Sequence, residues 1–129
     1  MHDELAACAL ALAQRFAAGA TMWCVAPGAA PHARHLAVEF VHPVVVGARS
    51  LPAVAISADD PLTAARAGDV LFVLGAADAA MVDRAAAHGL VLMHLDARGD
   101  ALFDGTLVRE YHVLWELTHV CFEHPGLVA

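Results

Sequence analysis

Four short runs of apolar residues, which do not alternate with polar ones, place the tightest limit on how this chain can fold. The clearest is VLFVL at Val70–Leu74, and LVLMHL at 90–95 follows it after a stretch with helical spacing. Strands that are apolar on both faces are typical of a parallel sheet covered by helices on each side, because neither face meets solvent. The sequence therefore predicts an α/β fold, a three-layer αβα sandwich with a doubly wound, mainly parallel sheet.

Helical spacing, together with glycines and prolines that end elements, divides the chain further. The predicted strands are 21–26, 53–57, 70–74 and 90–95. The predicted helices are 3–18, 31–41, a short one that begins at 59–61, 76–88 and 107–123. The β-branched run 44–46 is expected to be a loop or an edge strand, and 96–104 a turn-rich segment. The whole chain, 1–129, is expected to be one domain, since this length is typical of one.

Composition narrows the partners of this domain. The net charge is −7 with neutral histidines and the chain contains no lysine, so nucleic acid and anionic membranes are excluded as expected partners. No apolar run approaches the roughly 20 residues that span a bilayer. Hydrophobic residues make up 60% of the chain, above the usual 45–50% or so. This excess predicts a homo-oligomer, a dimer or a tetramer, in which copies cover apolar surface.

The cysteines and the N-terminus predict a cytoplasmic location. Cys8, Cys24 and Cys121 are odd in number and form no CxxC pair, so they are expected to be buried free thiols of a reducing compartment. The alanine-rich start contains Asp3 and Glu4 and lacks a basic region, which predicts a helix in place of a signal peptide.

Two predicted helices carry residue types that can bind a metal or move a proton. In HARHLAVEF, Glu39 lies four residues after His35, and His32 three residues before it, so all three share one helix face. A histidine and a carboxylate at this spacing can hold one divalent metal, or can serve as a proton-transfer pair.

The last predicted helix, in YHVLWELTHVCFE, has a similar stripe. His112, Glu116, His119 and Glu123 fall on one narrow side, opposite Val113, Leu114, Leu117, Val120 and Cys121. The alternative is an ordinary solvated face, since such pairs add only about 0.2–0.5 kcal/mol to a helix. The near absence of other polar residue types on the stripe favours a site.

These helices resemble those of the sugar isomerase (SIS) domain family, and within it those of phosphoheptose isomerase. In that family a strand and a glycine-rich loop lead into a helix with His-x-x-x-Glu. TMWCVAPGAAPHARHLAVEF has the same layout, with His35 and Glu39 on those positions. The family's last helix carries a glutamine and, eight residues on, His-x-x-x-Glu. HVCFE places His119 and Glu123 there, and the glutamine position falls on Tyr111.

The resemblance implies an activity and ligands as well as a fold. It implies a divalent metal, zinc in the family, held by His35, Glu39, His112 and His119. His112 is the expected replacement for the family's glutamine, with Tyr111 and Glu116 as the alternatives. It implies a sugar-like substrate that undergoes aldose–ketose isomerisation through an enediol, with Glu39 and His119 moving protons. It also implies a site built between the subunits of a tetramer. Histidine and carboxylate ligands alone suit zinc, nickel or iron.

Two loops are expected to bind the substrate, because ligands of doubly wound sheets lie beyond the carboxyl ends of the strands. These loops contribute Gly28 and Ala29 after the first strand, and Gly75 and Ala76 after the central strand. The family's second loop, Ser-Thr-Ser-Gly-x-Ser, holds a sugar phosphate. LGAAD at 74–78 has no hydroxyl and adds Asp78, which predicts an unphosphorylated substrate or a phosphate held elsewhere.

Three functions remain open at this point. The first is a metal-dependent isomerase or lyase of a small sugar or polyol. The second is a non-catalytic SIS-fold accessory protein that binds a metal or ligand, for example in nickel–iron hydrogenase maturation. The third is a structural oligomer whose histidines and glutamates make hydrogen bonds between copies.

Overall fold

The computed structural model describes residues 2–43, 47–96 and 102–129, with side chains from Glu4 onward. The strands are β1 (Met22–Val25), β2 (Ala53–Ala55), β3 (Val70–Leu74) and β4 (Val91–Leu95). The helices are α1 (His2–Ala17), α2 (Ala30–Val41), α3 (Ala79–Ala87), α4 (Thr106–Phe122) and α5 (Pro125–Val128). The predicted run 44–46 and most of the predicted turn-rich segment lie outside the described residues.

The four strands form one parallel sheet in the order β2-β1-β3-β4. The chain moves outward from β1 to β2 through α2, returns across β1 to β3, and then moves outward to β4 through α3. The doubly wound α/β fold predicted from the apolar runs is therefore confirmed. The reversal lies between β1 and β3, so the loops that follow these two strands meet at one end of the sheet.

Successive residues of the central strands point to opposite helical layers, as expected for the two-residue period of a strand. Met22, Cys24 and Phe72 belong to a core shared with α1, α2 and α4. Leu71 and Val73 belong to a second core on the other face, where the apolar side of α3 packs. Both faces of β3 are thus buried, which explains why its sequence is apolar throughout.

The short helix predicted at 59–61 is wrong, because the chain makes turns there. The carboxylate of Asp60 accepts a hydrogen bond from the Leu62 backbone N–H at 2.8 Å, a local turn that competes with a helical start. Leu62 has a left-handed φ of 60° and is 3% exposed, so its side chain fills the second core from an irregular segment. The burial of Leu62 therefore stabilises an irregular segment where a short helix was expected.

Helix α4 packs against α1 and contacts α2. Its buried residues are Leu107, Tyr111, Leu114, Trp115, Thr118 and Cys121. The predicted apolar side is therefore rotated, since Val120 is 45% exposed and the aromatic side chains are buried in its place. In the described part of the chain, no helix is both long and apolar enough to cross a bilayer.

Candidate metal site

Helix α2 presents a polar face because its other face is committed to the core. Its buried residues are Ala33, Leu36, Ala37 and Phe40. His32, His35 and Glu39 lie off this face at spacings of three and four residues, so they project toward α4 together. Pro31 lies in the first turn, where a missing N–H costs nothing, and α2 ends just before Pro43.

Three side chains from α2 and α4 converge on one point. His35 Nε2 lies 3.1 Å from Glu39 Oε1, and His112 Nε2 lies 3.3 Å from the same oxygen. The two Nε2 atoms are 3.4 Å apart. The side chain of Glu39 is 15% exposed, whereas those of His35 and His112 are 40% and 45% exposed. The cluster therefore opens to solvent on one side, with the carboxylate as its most buried member.

These distances suit a divalent metal. A tetrahedral zinc with ligands at about 2.0–2.1 Å has ligand–ligand edges of about 3.3–3.4 Å. The three edges of the cluster, 3.1, 3.3 and 3.4 Å, are close to that geometry. Two imidazoles and one carboxylate form a common donor set for zinc and similar ions, and three protein ligands leave a fourth position open. Three of the four ligands that the family resemblance implies thus fit a divalent metal.

Tyr111 lies behind the cluster and is fully buried. Its Oη atom is 2.7 Å from His35 Nδ1 and 3.2 Å from His32 Nδ1. His32 Nε2 lies 2.5 Å from the backbone oxygen of Leu102. Burial, together with the negative charge of Glu39, raises the pKa of the Tyr111 phenol to about 12, so it stays protonated at neutral pH. The family resemblance aligns Tyr111 with the glutamine position, but its hydrogen bond with His32 is not predicted by any spacing within one helix.

His119 lies outside this cluster within one chain. It is two turns beyond His112 on α4, a rise of about 10 Å. Its ring packs against that of Trp115, with centroids 4.6 Å apart, and its Nε2 atom has no hydrogen-bond partner among the residues that the structure describes. Burial, and then the charge of Arg49, lowers the pKa of His119, while Glu123 opposes that shift.

The surroundings of His119 form a pocket of about 630 Å³ at the far end of α4. Its lining residues include Arg49, Trp115, Glu116, Phe122 and Glu123. The Arg49 guanidinium lies 4.5 Å from the centre of the Phe122 ring. The predicted stripe of α4 is therefore divided, with His112 at the α2 contact and its other members beside this pocket.

The predicted substrate loops follow β1 and β3, at the carboxyl end of the sheet. Gly28 has a φ of 73°, which glycine adopts readily, and Ala29 is buried. The Gly75 N–H donates to the Leu95 backbone oxygen at 2.8 Å, so this donor is already used. The next residue, Ala76, contributes only a methyl side chain.

Asp78, which stands in the second loop, caps α3. Its carboxylate accepts a hydrogen bond from the Met81 backbone N–H at 2.8 Å. A carboxylate stabilises the positive end of a helix as a phosphate would, so it occupies the place where an anion commonly binds. The loop is therefore poorly equipped to hold a sugar phosphate.

Comparison of the whole structure with solved structures identifies the fold. The phosphoheptose isomerase from Neisseria gonorrhoeae aligns with a TM-score of 0.66 and 18% identity, over 91% of this chain and 86% of that one. A phosphoheptose isomerase from Francisella tularensis aligns with a TM-score of 0.67 and 13% identity, over 90% of this chain and 85% of that one. This chain has the phosphoheptose isomerase fold. No protein-family model and no curated protein sequence matches it.

Proposed function

We propose that this chain is a metal-dependent aldose–ketose isomerase of SIS fold that acts on a small sugar or a sugar-like compound. In this proposal His35, Glu39 and His112 hold the divalent metal, with zinc as the preferred ion. The catalytic form is a cytoplasmic homo-oligomer of the single domain 1–129. The convergence of two imidazoles and one carboxylate on one solvent-facing point carries the proposal.

The bound metal would polarise a carbonyl oxygen of the substrate and stabilise negative charge that develops there. The partly buried position of Glu39 suits it to move a proton between two neighbouring carbon atoms with its second carboxylate oxygen. The resemblance implies His119 as the second proton-transfer residue. In each chain His119 lies outside the cluster of His35, Glu39 and His112, so the His119 that serves this cluster would have to come from another copy of the chain. The expected homo-oligomer supplies such a copy.

The loops limit which substrate we propose. Gly28, Ala29, Gly75 and Ala76 have no hydroxyl side chain, and the backbone N–H groups of Ala29 and Gly75 already donate within the protein. Asp78 adds a negative charge close to the second loop. A neutral sugar or polyol therefore suits these loops better than a sugar phosphate, because a phosphate would be repelled and poorly hydrogen bonded.

A second candidate function is that of a metal-binding accessory protein without catalysis, such as one in nickel–iron hydrogenase maturation. The observation that favours it is the cap formed by Asp78, which fills the position where the family resemblance implies substrate phosphate. This candidate keeps the metal at His35, Glu39 and His112 and requires no proton transfer.

Metal analysis of purified protein tests the site. We expect about one equivalent of divalent metal per chain, lost in both His35→Ala and His112→Ala. The matched control is His94→Ala, because His94 also lies beside a carboxylate, that of Asp96 at 3.2 Å, but away from the cluster. Equal metal content in all three variants would refute the proposed ligands.

Proton exchange separates the two candidate functions. The metal-loaded protein is incubated in deuterated water with unphosphorylated and phosphorylated aldoses and ketoses, and deuterium at the carbon next to the carbonyl is followed by NMR. We expect exchange with an unphosphorylated sugar, abolished in Glu39→Gln. Stoichiometric metal without exchange on any sugar would favour the accessory protein.

A further inference from the structure

A line of hydrogen bonds extends into the protein from the cluster of the three proposed metal ligands. It runs from His35 through Tyr111 to His32 and ends at the backbone oxygen of Leu102. The line joins α2 to α4 twice, over sequence separations of 76 and 79 residues. Tyr111 and His32 are not among the three proposed metal ligands, so the geometry of the ligand cluster alone gives these two residues no role.

The last contact of the line sets the direction of all the others. A backbone oxygen only accepts, so His32 Nε2 must carry the proton and donate to Leu102. In a neutral imidazole His32 Nδ1 is then an acceptor, and the Tyr111 hydroxyl donates to it. Because that hydroxyl has one proton, its oxygen accepts the third hydrogen bond, from His35 Nδ1.

We propose that Tyr111 and His32 are positioning residues, which keep the proton of His35 on Nδ1 and turn its Nε2 lone pair toward Glu39 and His112. The inference rests on the proposed metal-binding function. Without the line, His35 could place its proton on Nε2 and donate to the Glu39 carboxylate at 3.1 Å. That tautomer has no free lone pair at Nε2, so it would have to be given up before a metal could bind.

The geometry also separates Tyr111 from the ligands. Its hydroxyl contacts Nδ1 of His35, on the other side of the ring from the Nε2 atom that faces the cluster. Tyr111 therefore acts on the metal through His35, whereas the family resemblance implies a ligand at its position. The neighbouring His112 reaches the cluster directly.

Removal of the Tyr111 hydroxyl tests the role in metal binding. In Tyr111→Phe we expect zinc to bind 10–100-fold more weakly, the usual effect of losing a partner behind a ligand. The matched control is Thr118→Val, which removes another buried hydroxyl from α4, one that donates to the Leu114 backbone oxygen. Affinities come from competition with a fluorescent chelator, and circular dichroism confirms that each variant is folded.

A second variant distinguishes a line of hydrogen bonds from independent packing effects. If His32 acts through Tyr111, His32→Ala alone weakens zinc binding, but adds less than twofold when Tyr111 is already phenylalanine. Additive losses in the double variant would show that the two residues act separately and would overturn the proposal.

The tautomer of His35 is measured on metal-free protein, so this arm does not depend on isomerase activity. Long-range ¹H–¹⁵N correlation spectra report which ring nitrogen carries the proton. We expect the proton on Nδ1 in the wild type and in Thr118→Val, and a shift toward Nε2 in Tyr111→Phe. A proton on Nε2 in the wild type, or zinc affinity within twofold of wild type in Tyr111→Phe, would overturn the proposal. Failure to isomerise any sugar, with these results intact, would count only against the enzyme.

Discussion

Two stretches of α4 carry the same residue types on the same side of the helix and have opposite surroundings. His112 meets the polar face of α2, and its Nε2 lies within 3.4 Å of donors from two residues of that helix. His119, two turns on, packs against Trp115, and its Nε2 atom is buried without a hydrogen-bond partner in the described part of the chain. Histidine–glutamate spacing on α4 therefore brings potential metal ligands together only at the end where a second helix presents matching side chains.

The largest expected difference concerns the two carboxylates beside these histidines. Glu39→Gln should weaken zinc binding by more than about 100-fold, because it removes the one negative charge that both imidazoles face. Glu116→Gln, an exposed change at the pocket end of α4, should leave zinc affinity within about twofold of wild type. Isothermal titration measures both. An equal loss of zinc affinity in the two variants would mean that the metal does not bind preferentially at the His112 end of α4.

Metal should also stabilise the fold through one end of α4 only. Zinc at 100 times its Kd should raise the free energy of unfolding by about 2.7 kcal/mol, since it binds the folded state. Urea unfolding with zinc and with a chelator should show this shift in the wild type and in His119→Leu, but not in His112→Leu. Loss of the shift in His119→Leu would place His119 among the ligands, supplied by a second copy of the chain.

Without metal, a substitution at the pocket end of α4 should stabilise the fold, whereas one at the cluster end should destabilise it. His119→Leu should raise the free energy of unfolding by about 1 kcal/mol, because a buried nitrogen without a partner is unfavourable. His35→Leu should lower it, since that variant removes the hydrogen bond to Tyr111. Chemical denaturation in the presence of a chelator gives both values. A destabilised His119→Leu would indicate that the imidazole makes a favourable contact.

The smallest effect is a dependence of stability on pH. The pKa of folded His119 is lowered from 6.5, so the unfolded chain binds the proton more readily. The contribution of the lowered His119 pKa to the free energy of unfolding is therefore fully present above pH 6.5, and it is lost as the pH falls toward the lowered pKa. Unfolding curves between pH 7.5 and pH 5 should show a smaller decline in His119→Leu than in the wild type. Identical pH profiles would contradict a depressed pKa at this position.

The sequence alone was sufficient to predict the features that depend on the spacing of residues within one helix or strand. Val70–Leu74 is predicted at its observed bounds because both faces of that strand are apolar and buried. His35 and Glu39 are predicted as neighbours because four residues make about one helical turn, and the structure has them 3.1 Å apart. Each case needs only the period of one element.

Features that depend on packing between elements could not be predicted in this way. Tyr111 and His112 are adjacent, about 100° apart around α4, and only the contacts of α4 with α1 and α2 decide which of them enters the core. The same rotation carries Val120 outward. Leu62 is a second case, because its buried side chain depends on a core on the far face of the sheet.

The contact between α2 and α4 joins residues 35 and 111, far apart in sequence. A growing polypeptide therefore exposes the imidazole of His35 and the carboxylate of Glu39 long before α4 exists. Until that helix docks, the early pair has two donors at most. Uptake of an ion by three donors would thus report completion of the fold, and a chain cut short before Thr106 would lack it.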